Sequence, residues 1–273
     1  MNQNEDDDIT EIESDIQEPD LPPPPISLLP QFRDLVDASG LRDVVPGLMT
    51  DEPLLLMQYY VQLMWAWNER LNMTRHTTWE LFVQRDLRDV IYLASVIQPG
   101  EDVLDLGSGG GVPGIPLSIL RPDVNVSLAE SVGKRAAVLS HMVQELQLPV
   151  PVYAARGEEI LDDIRFTAVV SRAVGSLHKL CTWVAPHWIN VDRMLLIKGP
   201  KWVEERAEAR HRGTLGTLTL RKIVSYGLTP GDATVVDEDA ALVGERDGAP
   251  GEGVILQVWP KDRKLPYGDW RLT

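Results

Sequence analysis

Apolar side chains in residues 28–97 recur at helical spacing. Over Glu52–Leu71 they fall at Leu55, Leu56, Tyr59, Leu63, Trp67 and Leu71, which makes one face of a helix. A second helix is predicted from about Thr78 to Ile97, with Thr78 as its N-cap. From residue 101 the pattern changes to short apolar runs: Val103–Leu106, Val124–Leu128, Val150–Tyr153, Thr167–Ser171 and Arg193–Ile197. Helical stretches separate them, the clearest being Lys134–Leu146 with Ala137, Val138, Met142 and Leu146 on one side. Such alternation predicts a mostly parallel sheet covered by helices. Leu218–Val224 and Val254–Trp259 are strand-like with no helix evident between them, so an antiparallel pair at the sheet edge is expected. The chain thus divides into an acidic, Pro-rich tail (1–27), an N-terminal helical segment (28–97) and an α/β sheet domain (98–273).

Composition alters this picture in one respect. The chain of 273 residues carries a formal charge of −15, which argues against a nucleic-acid partner until its distribution is read. Residues 1–20 hold nine acidic residues and no Lys or Arg, and residues 229–253 hold seven against Arg246 alone. The rest is balanced, with 25 acidic and 25 basic residues. The tail ends in Leu21 and four prolines and is read as disordered; 229–253 is read as an acidic loop. A single cysteine, Cys181, excludes an internal disulfide. No apolar run approaches a membrane span and no signal-like start is evident, so a cytoplasmic protein is expected.

The chemistry concentrates in Asp105-Leu-Gly107-Ser-Gly109-Gly-Gly111-Val112-Pro113-Gly114, between the first strand and a helix. Glycines at the carboxyl end of a strand let the backbone approach a ligand closely. Glu130, 19 residues past Gly111, ends the second strand, where a carboxylate can take ribose hydroxyls. Gly109-x-Gly111-x-x-Gly114 satisfies the dinucleotide pattern, so an NAD(P)-dependent oxidoreductase is one reading. Pro113 and Pro116 count against it, because they interrupt the helix start that would hold a pyrophosphate. Asp105-x-Gly107-x-Gly109-x-Gly111 also fits the D-x-G-x-G-x-G turn of S-adenosylmethionine-dependent methyltransferases, in which the Asp orders the turn and helps to hold the cofactor's ammonium.

Gly107–Leu117 resembles the G-x-G-x-G-x-P-G-I-P-L block of the bacterial 16S ribosomal RNA guanine-N7 methyltransferases, the GidB or RsmG family. Further pieces follow in the family's order: Ser131–Arg135, Arg156–Glu159, Ser171–Ala173 and Ile197–Gly199; upstream, Trp67–Thr74 is similar to W-N-x-x-x-N-L-T. The resemblance implies a Rossmann-like class I methyltransferase fold with S-adenosyl-L-methionine as cofactor. Its cofactor site would comprise Gly107, Val112, Gly157, Glu158 and Arg172, joined by Asp105, Gly109, Gly111 and Glu130 from the general class. The acceptor would be 16S ribosomal RNA or the small subunit, and a monomer without metal is expected. Many members carry R-H-x-x-D-S in the second N-terminal helix. Here the matching stretch is Gln84–Asp89, with Arg85, Arg88 and Asp89 in place of the His, Asp and Ser.

Guanine N7 has a lone pair and no proton, so no general base is expected and no catalytic residue is named. The absence of a recognisable Ser/His/Asp set agrees, and His141 and His178 read as packing or surface residues. Candidates for RNA phosphate are Arg70, Arg75, Arg85, Arg88, Lys134, Arg135, Arg156, Lys198 and Lys201, with Arg206, Arg210 and Arg212 beyond. Ordinary surface charge is the alternative at each. Trp65, Trp67 and Trp79 could stack on bases, but core packing is the preferred reading. A diverged methyltransferase with another RNA or small-molecule acceptor, and a non-catalytic RNA-binding factor, are the remaining alternatives.

Overall fold

The computed structural model describes residues 18–227, 234–239 and 253–265. The five apolar runs form parallel strands: β1 (Asp102–Leu106), β2 (Asn125–Ala129), β3 (Val152–Tyr153), β4 (Phe166–Arg172) and β5 (Val191–Lys198). With β6 (Leu218–Tyr226), β7 (Thr234–Asp239) and β8 (Gly253–Pro260) they make one sheet of order β3-β2-β1-β4-β5-β8-β6-β7. β8 is antiparallel to both β5 and β6.

The expected antiparallel pair therefore exists, but β8 lies inside the sheet rather than at its edge. Its Val254, Ile255, Leu256 and Val258 are fully buried on both faces, which an edge position would not offer. The outer strand is β7, and it comes from the segment read as a loop. Asp237, Glu238 and Asp239 depress its strand propensity, which is why the sequence pattern missed it. The remainder of that acidic segment and residues 1–17 of the tail lie outside the described residues; residues 18–27, expected to be disordered, instead lie on the core, with Pro19 buried, Leu21 packed against the cluster and the Ser27 carbonyl accepting from Gln58.

Alternation along the strands splits the core between two faces. Val103, Val126, Ala168, Leu195 and Ile255 point to one face, and Leu104, Val169, Leu196 and Leu256 to the other. The second face is covered by α7 (Gly157–Asp163), α8 (Leu177–Val184) and α9 (Trp202–His211). The first is covered by α5 (Gly114–Leu120) and α6 (Gly133–Glu145), and by the N-terminal helices α1 (Pro30–Ala38), α2 (Asp51–Asn68), α3 (Trp79–Leu81) and α4 (Arg88–Ala94). The N-terminal segment therefore shares one continuous core with the sheet.

In α2 the buried face is Leu54, Met57, Tyr60, Val61, Leu63, Met64 and Trp67, while Leu55, Leu56 and Leu71 are only partly covered. Thr78 caps α3 as expected, its side chain accepting from the Leu81 N–H at 3.3 Å. Between α3 and α4 the chain stays helical but widens to π geometry over Phe82–Leu87. The tryptophans pack as core: Trp79 lies 4.7 Å from both the Phe32 and Trp65 rings, and Trp67 is buried. A fully buried pair, Arg193 with Glu101 at 2.7 Å, ties β5 to the loop before β1, and Arg193 also donates to the Val96 carbonyl. Among the described residues no helix is long and apolar enough to cross a membrane, and no cluster of metal-ligating side chains occurs.

Candidate functional site

The glycine turn leaves β1 at the carboxyl end of the parallel strands, where successive backbones diverge and a cleft opens. Gly107 must be glycine twice over. Its φ is +76°, and a Cβ would stand 2.5 Å from Val174 Cγ2. At Gly114 a Cβ would meet Leu128 at 2.2 Å, so the helix start can pack this closely against β2 only with no side chain there.

Asp105 closes the turn from below. It is buried, and its Oδ2 accepts the Gly114 N–H at 3.0 Å while Oδ1 has no partner. Burial is the main cause that pushes its carboxyl up to about 7. Glu130 accepts the Gly109 N–H at 2.9 Å and the Val132 N–H at 2.8 Å, one on each oxygen, and so fixes the turn as well as lining the cleft. Tyr60 of α2 donates to the Gly110 carbonyl at 2.8 Å from the opposite side. The Asn68 carboxamide oxygen accepts the Met73 and Thr74 N–H groups, laying that loop over the glycines.

Three cavities adjoin along this end of the sheet. The central one, about 460 Å³, is lined by Gly107–Gly110, Val112, Glu130–Val132, Arg135, Asp86 and Arg172–Val174, with Met64, Met73 and Thr74 as its outer wall. A second, about 330 Å³, shares Gly107, Ser131 and Val174 with it and continues to Arg156, Gly157, Glu158 and Trp183. A third, about 420 Å³, shares Arg172, Ala173 and Val174 and extends to Asp89, Lys198–Pro200, Tyr226 and Gly253. Ala173 in the common wall holds a left-handed φ of +57°, a strained setting for a residue with a side chain.

Of the residues singled out in the sequence, Gly107, Gly109, Val112, Glu130, Gly157, Glu158 and Arg172 line these cavities. Gly111 does not: its backbone faces Ile115 and Leu139, and its role is the turn itself, at φ +96°. Arg172 is the hub of a network that the sequence did not reveal. It is ion-paired with buried Asp86, which also accepts His76 Nδ1 at 2.8 Å, and its Nε lies 3.4 Å from Asp89 Oδ2. Asp89 in turn accepts the Tyr226 hydroxyl at 2.7 Å. Burial raises the Asp89 carboxyl above its ordinary range, and Arg172 opposes that rise. Buried Arg172 Nη1 and Asp86 Oδ2 are without partners.

The cation candidates divide by burial. Arg70, Arg75, Arg85, Lys134, Arg156 and Lys201 are exposed, and Arg85 and Arg156 border the cavities. Arg135, on the cleft wall, donates to the Asn72 carbonyl at 3.2 Å. Arg210 and Arg212 are exposed on and just past α9, Arg212 paired with Glu208 at 2.9 Å. Three expectations are corrected. Arg88 is buried and donates to the Gly227 carbonyl; Lys198 is buried against Glu205 at 2.9 Å and the Gly175 carbonyl; Arg206 is buried with its guanidinium over Trp202. These cations tie segments together and are not free for phosphate. His141 packs edge-on against Trp67, and His178 bonds Thr214.

The sheet order, the glycine turn with its buried Asp, and the cleft along the strand ends are those of a Rossmann-like class I methyltransferase. Within that class the chain belongs to the GidB family, described as rRNA small subunit methyltransferase G, whose model matches residues 54–228. Among curated relatives, a ribosomal RNA small subunit methyltransferase G of Rhodopirellula baltica is 59% identical over 80% of this chain and 94% of its own length. Proteins of the same name from Chlorobaculum tepidum and Mycolicibacterium smegmatis are 34% and 40% identical, over 59% and 56% of this chain and 75% and 68% of theirs.

Proposed function

We propose that this chain is an S-adenosylmethionine-dependent methyltransferase acting in the cytoplasm on N7 of a guanine in 16S ribosomal RNA, within the small subunit or a precursor of it. Membership of the GidB family supports the methyltransferase activity on ribosomal RNA. The observation that carries the cofactor reading is at the start of α5. The Gly114 N–H is taken by Asp105, the Ile115 and Leu117 N–H groups by the Gly111 and Pro113 carbonyls, and Pro116 has none. No N–H group of that first turn remains for a pyrophosphate, which disfavours the dinucleotide alternative.

The residues present suit S-adenosylmethionine. The unpartnered Asp105 Oδ1 is a buried acceptor behind the glycine turn that lines none of the three cavities, so it can hold an ammonium only through a bridging water. Glu130 keeps a lone pair on each oxygen for ribose hydroxyls. Gly157, Glu158 and Trp183 bound a cavity suited to a flat adenine. Bound there, the cofactor supplies an electrophilic methyl group on a sulfonium. The protein's part is alignment: its walls hold an acceptor base in line, and such positioning can supply up to roughly 7–11 kcal/mol. The exposed Arg70, Arg75, Lys134 and Arg156 are suited to RNA backbone, and a guanine reaching the cleft must be unstacked.

Isothermal titration with S-adenosylhomocysteine and with NAD tests the cofactor. Saturable binding of S-adenosylhomocysteine is expected, and binding of NAD alone overturns it. Methylation of 30S particles from a strain lacking the enzyme, with the modified base mapped, tests the acceptor.

A further inference from the structure

We infer that the cavity beyond Arg172 seats the acceptor base and that Asp89 is the residue that selects guanine there. This rests on the methyltransferase reading above and adds to it a seat and a reader. The cavity is separated from the glycine turn only by the Arg172–Val174 wall, which both share. A base held in it lies next to the glycine-turn cavity, beside Arg172.

Most charged groups around the cavity are already committed. Lys198 and Glu205 pair with each other, and Glu205 also accepts the Leu177 N–H at 2.7 Å. Arg88 is turned onto the Gly227 carbonyl. Asp89 differs. It is partly exposed, and its oxygens carry one partner each, Tyr226 on one and a 3.4 Å contact to Arg172 on the other. Each oxygen keeps a lone pair, so the side chain can accept two further hydrogen bonds side by side. Next to it the buried Arg172 Nη1 lacks a partner.

Adjacent acceptors call for adjacent donors, and among the bases only guanine offers two on one edge, N1–H and the N2 amine. Adenine would set its N1 lone pair against the carboxylate, and so would cytosine with N3. Uracil offers one donor. Tyr226, stacked on Tyr92 at 4.3 Å, fixes the carboxylate through its hydroxyl. Asp86 holds Arg172 from the other side, so the reader is pre-set before the base arrives.

The test uses the full chain saturated with S-adenosylhomocysteine, titrated with GMP, IMP and AMP by calorimetry and ligand-observed NMR. IMP keeps the N1–H and lacks the N2 amine. The expected order is GMP, then IMP, then AMP, with GMP preferred over AMP by about tenfold or more, the effect of one charged hydrogen bond. Asp89→Asn should collapse that order while S-adenosylhomocysteine still binds within about threefold of wild type, which also reports folding. Tyr226→Phe, which keeps the carboxylate but frees it from the hydroxyl, should narrow the preference for GMP without abolishing it. Equal binding of AMP and GMP, no binding of GMP to the loaded protein, or an unchanged preference in Asp89→Asn overturns the inference. Failure of S-adenosylhomocysteine to bind at all would instead bring down the cofactor reading on which it rests.

Discussion

Asp105 sets the cofactor site against the stability of the protein, and Asp105→Asn measures by how much. The carboxyl is fully enclosed, with the Gly114 N–H as its one backbone partner and Oδ1 left bare. Burial therefore raises it from 3.8 to about 7. An acid raised in the folded state binds more protons there than when unfolded. Its contribution is complete below about pH 4 and is lost as pH climbs to 7. At about 1.4 kcal/mol for each unit, the rise of about three units corresponds to a loss of at most about 4 kcal/mol by pH 8. Asparagine keeps an oxygen for Gly114 and carries no charge to desolvate. Ligand-free Asp105→Asn should therefore melt about 5–15 °C above wild type at pH 8, at about 2–4 °C per kcal/mol for a chain of this size, and close to wild type near pH 4. The same change removes the anion expected to hold the cofactor's ammonium. S-adenosylhomocysteine should bind about 10–100-fold more weakly, the usual cost of a charge-assisted hydrogen bond. Calorimetric melts at the two pH values and isothermal titration at pH 8 read both effects. A ligand-free variant melting at or below wild type at pH 8 refutes the burial argument, and unchanged affinity refutes the ammonium role.

Gly107→Ala combines a left-handed φ with a Cβ set 2.5 Å from Val174, so the turn must shift. A cost of about 1–3 kcal/mol and at least tenfold weaker S-adenosylhomocysteine binding are expected, read by melting and titration. Arg75→Ala should lower the salt dependence of RNA binding by about one phosphate contact, whereas buried Arg206→Ala should lower the melting temperature and leave that slope unchanged. Filter binding across a salt series separates the two.

The parts of the site legible in the sequence are those built from neighbours in the chain. The turn Asp105–Gly114 could be read because its geometry demands glycines at fixed offsets from a strand end. Thr78 could be read as a cap because the N–H it satisfies lies three residues on. The Asp86–Arg172–Asp89 cluster could not. Arg172 is 86 residues from Asp86 along the chain, and the π-helical stretch between Phe82 and Leu87 breaks the 3.6-residue rhythm by which a facing residue would be found. The acidic count misled only while it was summed. Nine of those residues lie in the first twenty, and Asp237–Asp239 occupy the outermost strand, five places from β1 in the sheet.

By itself the sequence determined the class of fold, the glycine turn, the acid that ends β2 and the family, since each is written in local spacing and apolar alternation. The tertiary structure decided which charges do chemistry. Arg88, Lys198 and Arg206 look like free cations in the chain, yet folding buries them on carbonyls, a carboxylate and a ring. Asp86 and Asp89 look like incidental surface acids, yet folding sets them on Arg172 at the junction of two cavities. Burial and long-range pairing arise only when distant segments meet, and one-dimensional spacing carries no record of that meeting.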